Sequence, residues 1–372
     1  MHEWQFSSIS VNIKIPAFLP PKKMSFTRDT GDIQAAVVSL VQRLAPDVPV
    51  ARQSVVAQKI AEEITRQPST MYSNMFLRQS IIRGRTATTT DVIDGLAAWV
   101  TILFDLDNLQ RDRRRALNLE AALPNDDAKR LERALSKSRN GCILALPHIG
   151  SIQLFVAHLR DRGFKVAFVY TMSDNPTPVE QWIRQGYHAT HGVPIQFGRR
   201  NTGSEISNAL RENTVVCLVV DVYPSSRFSG VRINLYNDEF NLPPGPAKYA
   251  QSGTLVMPGF ASRRDAVGFS MRILDPIEHH LSLGRTANTD FTQRLGDHIA
   301  GFSAVQPQSY WLWHPIPNDP FRKIAERRHS ELLRLLDDSP PHDEAVASAI
   351  EALDATGTDL GIDQPPTRGR RM

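Results

Sequence analysis

The chain has 372 residues, of which 41% are hydrophobic and 22% charged, and its formal net charge is +4. This is the composition of a globular protein with a sizeable core, enough for one α/β domain of ~250 residues with extensions, or for two domains. Its two cysteines, Cys142 and Cys217, form neither a disulfide framework nor a zinc set, so a reducing compartment is expected. Neither a Gly-x-Gly-x-x-Gly turn nor a Gly-x4-Gly-Lys-Ser/Thr loop occurs, which argues against dinucleotide and nucleoside-triphosphate enzymes.

Residues 1–29 read as an irregular lead, because Pro16, Pro20 and Pro21 oppose regular structure. They lack the basic start and long apolar run of a signal peptide. From Thr30 to about Lys137 the pattern is helical. Ile33, Val37, Leu40, Val41 and Leu44 share one face, and Val55, Val56, Ile60 and Ile64 share another. A third helical stretch covers Asp91 to Phe104, and a fourth surrounds the arginine cluster at 111–115. That cluster reads first as a solvated helix face, and second as a surface for phosphate, anionic lipid or an acidic carrier protein. The apolar run Gly95–Phe104 falls far short of the ~20 residues that a membrane span requires. A cytoplasmic protein is expected, with at most peripheral contact with the inner face of the cell membrane.

From residue 138 to about 325 the pattern becomes α/β. Strands are expected at Cys142–Leu146, Lys165–Tyr170, Val193–Phe197, Val215–Val220, Thr254–Phe260 and Val267–Leu274. Helices fall between them near 151–162, 177–187, 202–212, 244–252 and 288–304. Short strands alternating with helices imply a mixed, largely parallel sheet flanked by helices, with the helical section in front. Residues 326–372 form a short helical pattern and a polar, partly disordered tail.

Chemistry concentrates at the strand ends. The run Cys142–Leu146 ends in Pro147-His148-Ile149-Gly150, and a helix follows at once. This places an imidazole at the mouth of the sheet, where open α/β sheets keep their sites. Gln153, five residues on, stands in the first turns of that helix and is positioned to orient the ring, leaving the other nitrogen for a proton. Asp221 ends the run VVCLVV and sits at the same rim. Asp174-Asn175-Pro176 opens a helix after the second strand, and Lys248 lies on the helix after the NLPPGP turn. His188 and His191 are spaced for a metal but lack matching partners, so a solvated helix end is expected and no metal. Trp182, Trp311 and Trp313 read as packing residues.

Taken in order, PHIGSIQL (147–154), VYTMSDNP (169–176), LRENTVVCLVVD (210–221), the PPGPAKYAQSGTLVMPGF block and PQSYWLWHPIP (307–317) resemble the lipid A biosynthesis acyltransferases. These are the lauroyl/myristoyl transferases of the lysophospholipid-acyltransferase-like superfamily. The resemblance implies a glycerolipid-acyltransferase-like fold and transfer of a fatty acyl group from an acyl carrier protein or coenzyme A thioester to a hydroxyl. His148 would be the general base and Gln153 its orienter. Asn175, Arg184, Asp221 and Lys248 would bind substrate, with Asp221 either binding the acceptor or supporting the base. No cofactor and no nucleic acid are implied; the acceptor would be a lipid or a small molecule. This chain carries Gln153 where the family has Asp or Glu, and Thr171 where it tends to have Arg; Arg184, Arg199 and Arg200 are the available substitutes. It also shows none of the family's usual N-terminal membrane anchor. These departures point to a smaller or more soluble acceptor. They also keep open an amine acceptor, and a degenerate relative that binds an acyl chain or acyl carrier protein without efficient turnover.

Overall fold

The computed structural model describes residues 26–66, 70–117, 120–122, 124–138, 140–170, 176, 178–221, 230–263, 268–280 and 286–310. Its helical front comprises α1 (Phe26–Leu44), α2 (Val50–Thr65), α3 (Thr70–Arg83), α4 (Thr89–Arg111), α5 (Arg113–Leu117) and α6 (Asn125–Lys137). A short strand, β1 (Glu120–Ala122), interrupts this section. The remainder alternates: β2 (Cys142–Leu146), α7 (Ile152–Asp161), β3 (Val166–Tyr170), α8 (Pro178–Ala189), β4 (Val193–Gln196), α9 (Thr202–Arg211) and β5 (Val215–Val219). There follow a hairpin, β6 (Val231–Leu235) and β7 (Asp238–Leu242), then α10 (Gly245–Gln251), β8 (Leu255–Arg263), β9 (Gly268–Ile273) and α11 (Ala287–Val305). A single 3-10 turn, Pro307–Ser309, closes the described chain.

A seven-stranded sheet runs β1-β9-β8-β2-β5-β3-β4. Neighbours pair in parallel except β8 with β9, which are antiparallel. The fold is therefore the mixed, largely parallel α/β architecture with a helical N-terminal section that the pattern of elements implies. Strand β1 lies inside the section expected to be helical, and its parallel pairing with β9 ties the front of the chain to the sheet edge.

Burial on both faces explains why the central strands are continuous apolar runs. In β2, Cys142, Leu144 and Leu146 pack with α7 residues such as Leu154 and Phe155, while Ile143 and Ala145 join Phe291, Leu295 and Ile299 of α11 on the other face. A separate apolar cluster fills the helical front, where Val92, Leu96 and Val100 of α4 meet Val37 and Val41 of α1 and Ala57 and Ile60 of α2. Helix α4 begins with a capping box: Thr88 accepts from the Asp91 amide and Asp91 accepts from the Thr88 amide. Arg83 and Arg85 pair with the same Asp91 carboxylate. Farther along α4, Asp105 pairs with Arg263 of β8, a buried tie between the helical front and the sheet.

Asp127 performs the equivalent task for α6. Its buried carboxylate accepts from Arg130 at 2.5 Å, from Arg272 at 2.9 Å and from the Ile273 amide at 3.0 Å. Burial works against the charge, but these donors outweigh it and hold the Asp127 carboxyl below its ordinary 3.8. A carboxyl held low in the folded state binds its proton more tightly when unfolded. The stability it contributes is therefore complete above the ordinary value and is lost as the pH falls below it. Denaturant titrations from pH 7 down to pH 3 are expected to show Asp127→Asn less stable at neutral pH, and losing less than the parent as the pH falls below about 4.

Candidate active site

The site follows from strand register. In the pairing of β2 with β5, Leu146 stands opposite Val219. His148 and Asp221 each lie two residues beyond, so two neighbouring strands deliver an imidazole and a carboxylate to the same height above the sheet. Asp221 Oδ1 lies 2.7 Å from His148 Nδ1, and Oδ2 accepts the His148 backbone N–H at 2.7 Å. The carboxylate thus grips both the ring and the main chain of one residue. The His148 side chain is 14% exposed and that of Asp221 only 3%: the carboxylate is sealed in, and the ring reaches toward the surface.

A third element completes the arrangement. The 3-10 turn folds back onto the loop after β2, where the Gly150 N–H donates to the Ser309 carbonyl at 2.8 Å and Ile149 pairs with Tyr310 in an antiparallel bridge. The buried Tyr310 hydroxyl then donates to Asp221 Oδ2 at 2.7 Å. Gly150 makes the loop possible. It has φ +66, and a Cβ there would lie 2.2 Å from the Ala261 carbonyl oxygen of β8. Gly150→Ala combines a left-handed backbone with overpacking against main chain, and is expected to cost about 2–5 kcal/mol. The denaturation midpoint of the variant would measure the loss.

Electrostatics favour an ionised Asp221. Burial pushes its carboxyl up, but the adjacent His148 ring, the two His148 hydrogen bonds and the Tyr310 hydroxyl outweigh burial and hold it below 3.8. Burial and the Asp221 charge push the Tyr310 phenol well above 10, so it remains a neutral donor. With the Nδ1 proton directed at Asp221, the basic lone pair of neutral His148 falls on Nε2. A carboxylate, an oriented imidazole and a neutral phenol are groups with which general-base chemistry can be built.

The position expected of Gln153 belongs to Asp221. Gln153 is buried on α7, and its Oε1 accepts no hydrogen bond, from His148 or from any other described residue. Its side chain hydrogen-bonds the Tyr187 phenol of α8, which burial pushes up to about 12. The reason lies in the geometry of the two strands: the register already presents a carboxylate to Nδ1, whereas the first turn of α7 turns the amide toward α8. Asp221, expected as a supporting or acceptor-binding group, is enclosed with both oxygens engaged by protein donors. The other expected substrate-binding residues are not brought to this pair by any described contact. Lys248 stands exposed on α10, and Arg184, on α8, reaches His188 Nε2 at 3.4 Å. Asn175 lies outside the described residues, as do Thr171 and the tail at 326–372. Two arginines of the 111–115 cluster have structural partners. Arg111 binds Asp107 at 2.6 Å and the Gln42 carbonyl at 2.8 Å; Arg113 binds the Ala157 carbonyl of α7 at 3.0 Å.

Tyr310 escapes a reading of local pattern because it stands 89 residues from Asp221. The signal available was a hydroxyl-bearing ring beginning the aromatic run after Pro307. For Asp221 the signal was parity: His148 and Asp221 sit at the same offset past two apolar runs that pair.

These features define a class: an α/β protein with a partly buried histidine, paired with a buried carboxylate, at the carboxyl ends of two adjacent parallel strands and backed by a tyrosine. The chain belongs to the bacterial lipid A biosynthesis acyltransferase family, whose model matches residues 91–316. Among curated proteins it is similar to a phosphatidylinositol mannoside acyltransferase of Mycobacterium tuberculosis, with 26% identity over 199 residues, covering 52% of this chain and 58% of that protein. It is also similar to one of Mycolicibacterium smegmatis, with 25% identity over 211 residues, covering 55% of this chain and 65% of that protein. The chain thus spans somewhat under two thirds of the length of either relative. Among the described residues no helix is long and apolar enough to cross a membrane.

Proposed function

We propose that this protein transfers a fatty acyl group from a thioester of acyl carrier protein or coenzyme A to a hydroxyl of a lipid acceptor, with His148 as general base and Asp221 as its orienter. The observation that carries the reading is the pairing of His148 Nδ1 with the enclosed Asp221 carboxylate at 2.7 Å. Family membership supports acyl transfer as the reaction. In the proposed step, Nε2 takes the acceptor's O–H proton while the oxygen attacks the thioester carbonyl. The tetrahedral intermediate collapses with cleavage of the C–S bond, and the departing sulfur takes the proton back from the imidazolium. Asp221 stabilises that imidazolium, a task a neutral amide cannot perform. The relatives' name, phosphatidylinositol mannoside acyltransferase, favours a glycosylated lipid as acceptor. The protein would then work in peripheral contact with a membrane.

The test is to incubate purified protein with acyl carrier protein and coenzyme A thioesters of several chain lengths, plus glycolipid and water-soluble acceptors, and to identify products by mass. A lipid product cleaved by mild base supports the reading. A base-stable amide, a soluble product, or thioester binding without turnover contradicts it in turn on bond type, acceptor or catalysis.

A further inference from the structure

We propose that Tyr310 is a positioning residue of the catalytic pair: its hydroxyl fixes the Asp221 carboxylate in the one orientation that serves the ring and the backbone of His148 together. The inference rests on the reading of His148 and Asp221 given above. Oδ1 is committed to the His148 ring, and Oδ2 receives both the His148 N–H and the Tyr310 O–H, each at 2.7 Å. Removing the phenol hydrogen bond leaves a buried carboxylate oxygen with fewer donors than its charge demands, and frees the carboxylate to rotate about its stem.

Tyr310 is itself held from three directions. The Ile149 bridge and the Gly150–Ser309 hydrogen bond fasten it to the loop that carries His148. The Tyr310 N–H donates to the Pro307 carbonyl at 3.2 Å, and Gln79 Nε2 of α3 donates to the same carbonyl at 3.0 Å. The ends of strands β2 and β5 and the residue after the 3-10 turn thereby meet at one carboxylate, and helix α3 braces the turn. Among the described residues, the titratable groups acting on this centre are His148 at the end of β2, Tyr310 itself, Tyr236 in the turn between β6 and β7, and Arg78 of α3, whose buried guanidinium acts on Tyr310. Tyr236 hydrogen-bonds Ser303 of α11 at 2.6 Å and is pushed up by burial, so it too is a neutral phenol.

Tyr310→Phe keeps the ring and deletes the hydroxyl. Turnover is expected to fall on the order of tenfold, as for loss of a hydrogen bond to a charged group, with the donor KM unchanged. The acid limb of the pH–rate profile should move, because the carboxylate that faces the imidazole has lost one of its donors. A ring-fluorinated tyrosine at 310, a stronger donor, should move the limb the other way. The His148 Nδ1–H proton resonance, read without any substrate, should shift in both variants. A purely structural Tyr310 would alter the unfolding midpoint and leave limb and resonance in place; that result overturns the inference. If no acyl transfer is found for the parent protein, the function reading fails, while the resonance still decides the role of Tyr310.

Discussion

His148→Ala is expected to reduce the proposed acyl transfer by about 10²–10⁴-fold while the protein remains folded and still binds the proposed thioester donor. A hydroxyl at neutral pH is a poor nucleophile, and its proton must leave as the C–O bond forms. An alanine offers no lone pair for that proton and no imidazolium to return it to the leaving sulfur. The ring contributes little to the core, since it is partly exposed and its neighbours Ile149 and Tyr310 meet through main-chain pairing. Comparable circular dichroism and donor binding, set beside lost turnover, would assign the deficit to chemistry. Retained turnover would remove His148 from the mechanism.

Asp221→Asn is expected to have an effect of the same order, a loss of up to about 10⁴-fold, the figure for the equivalent carboxylate-to-amide change in an unrelated serine protease. Two consequences act together. The amide cannot stabilise the imidazolium, and an NH₂ facing Nδ1 or the His148 backbone N–H opposes donor to donor and disturbs the ring's tautomer. Replacing Gln153 with methionine should cost far less, because its amide meets Tyr187 and its Oε1 holds nothing. Steady-state rates of the two variants, measured side by side, separate the residues. A larger loss at Gln153 than at Asp221 would return the orienting role to the amide.

Much of the fold is legible in the sequence because its signals are local. The strand β2 coincides with the apolar run Cys142–Leu146, and α7, α9 and α11 fall within a residue of the periodic stretches that announce them. Helix α3 is less legible. Met71, Met75, Arg78, Gln79 and Ile82 are all buried, so no polar face marks its period. The β6–β7 hairpin is hidden for a different reason. Its turn places Tyr236 and Asn237 at φ 54 and 60, positions usually signalled by Asn-Gly or Asp-Gly. At the site, His148 and the rim position of Asp221 can be read from strand ends, but their contact requires knowing that β2 and β5 are neighbours. Sequence order separates those strands by α7, β3, α8, β4 and α9. The family's usual acid five residues after the histidine draws attention to Gln153, whereas the carboxylate that meets the ring stands 73 residues away.

The most direct test of the paired site is a double-mutant cycle on turnover with His148→Ala, Asp221→Asn and both together. If Asp221 acts through His148, the double variant will be about as slow as His148→Ala alone, since nothing remains for the carboxylate to orient. Losses that multiply, each residue costing its full factor in the absence of the other, would contradict a dyad and leave two residues acting independently.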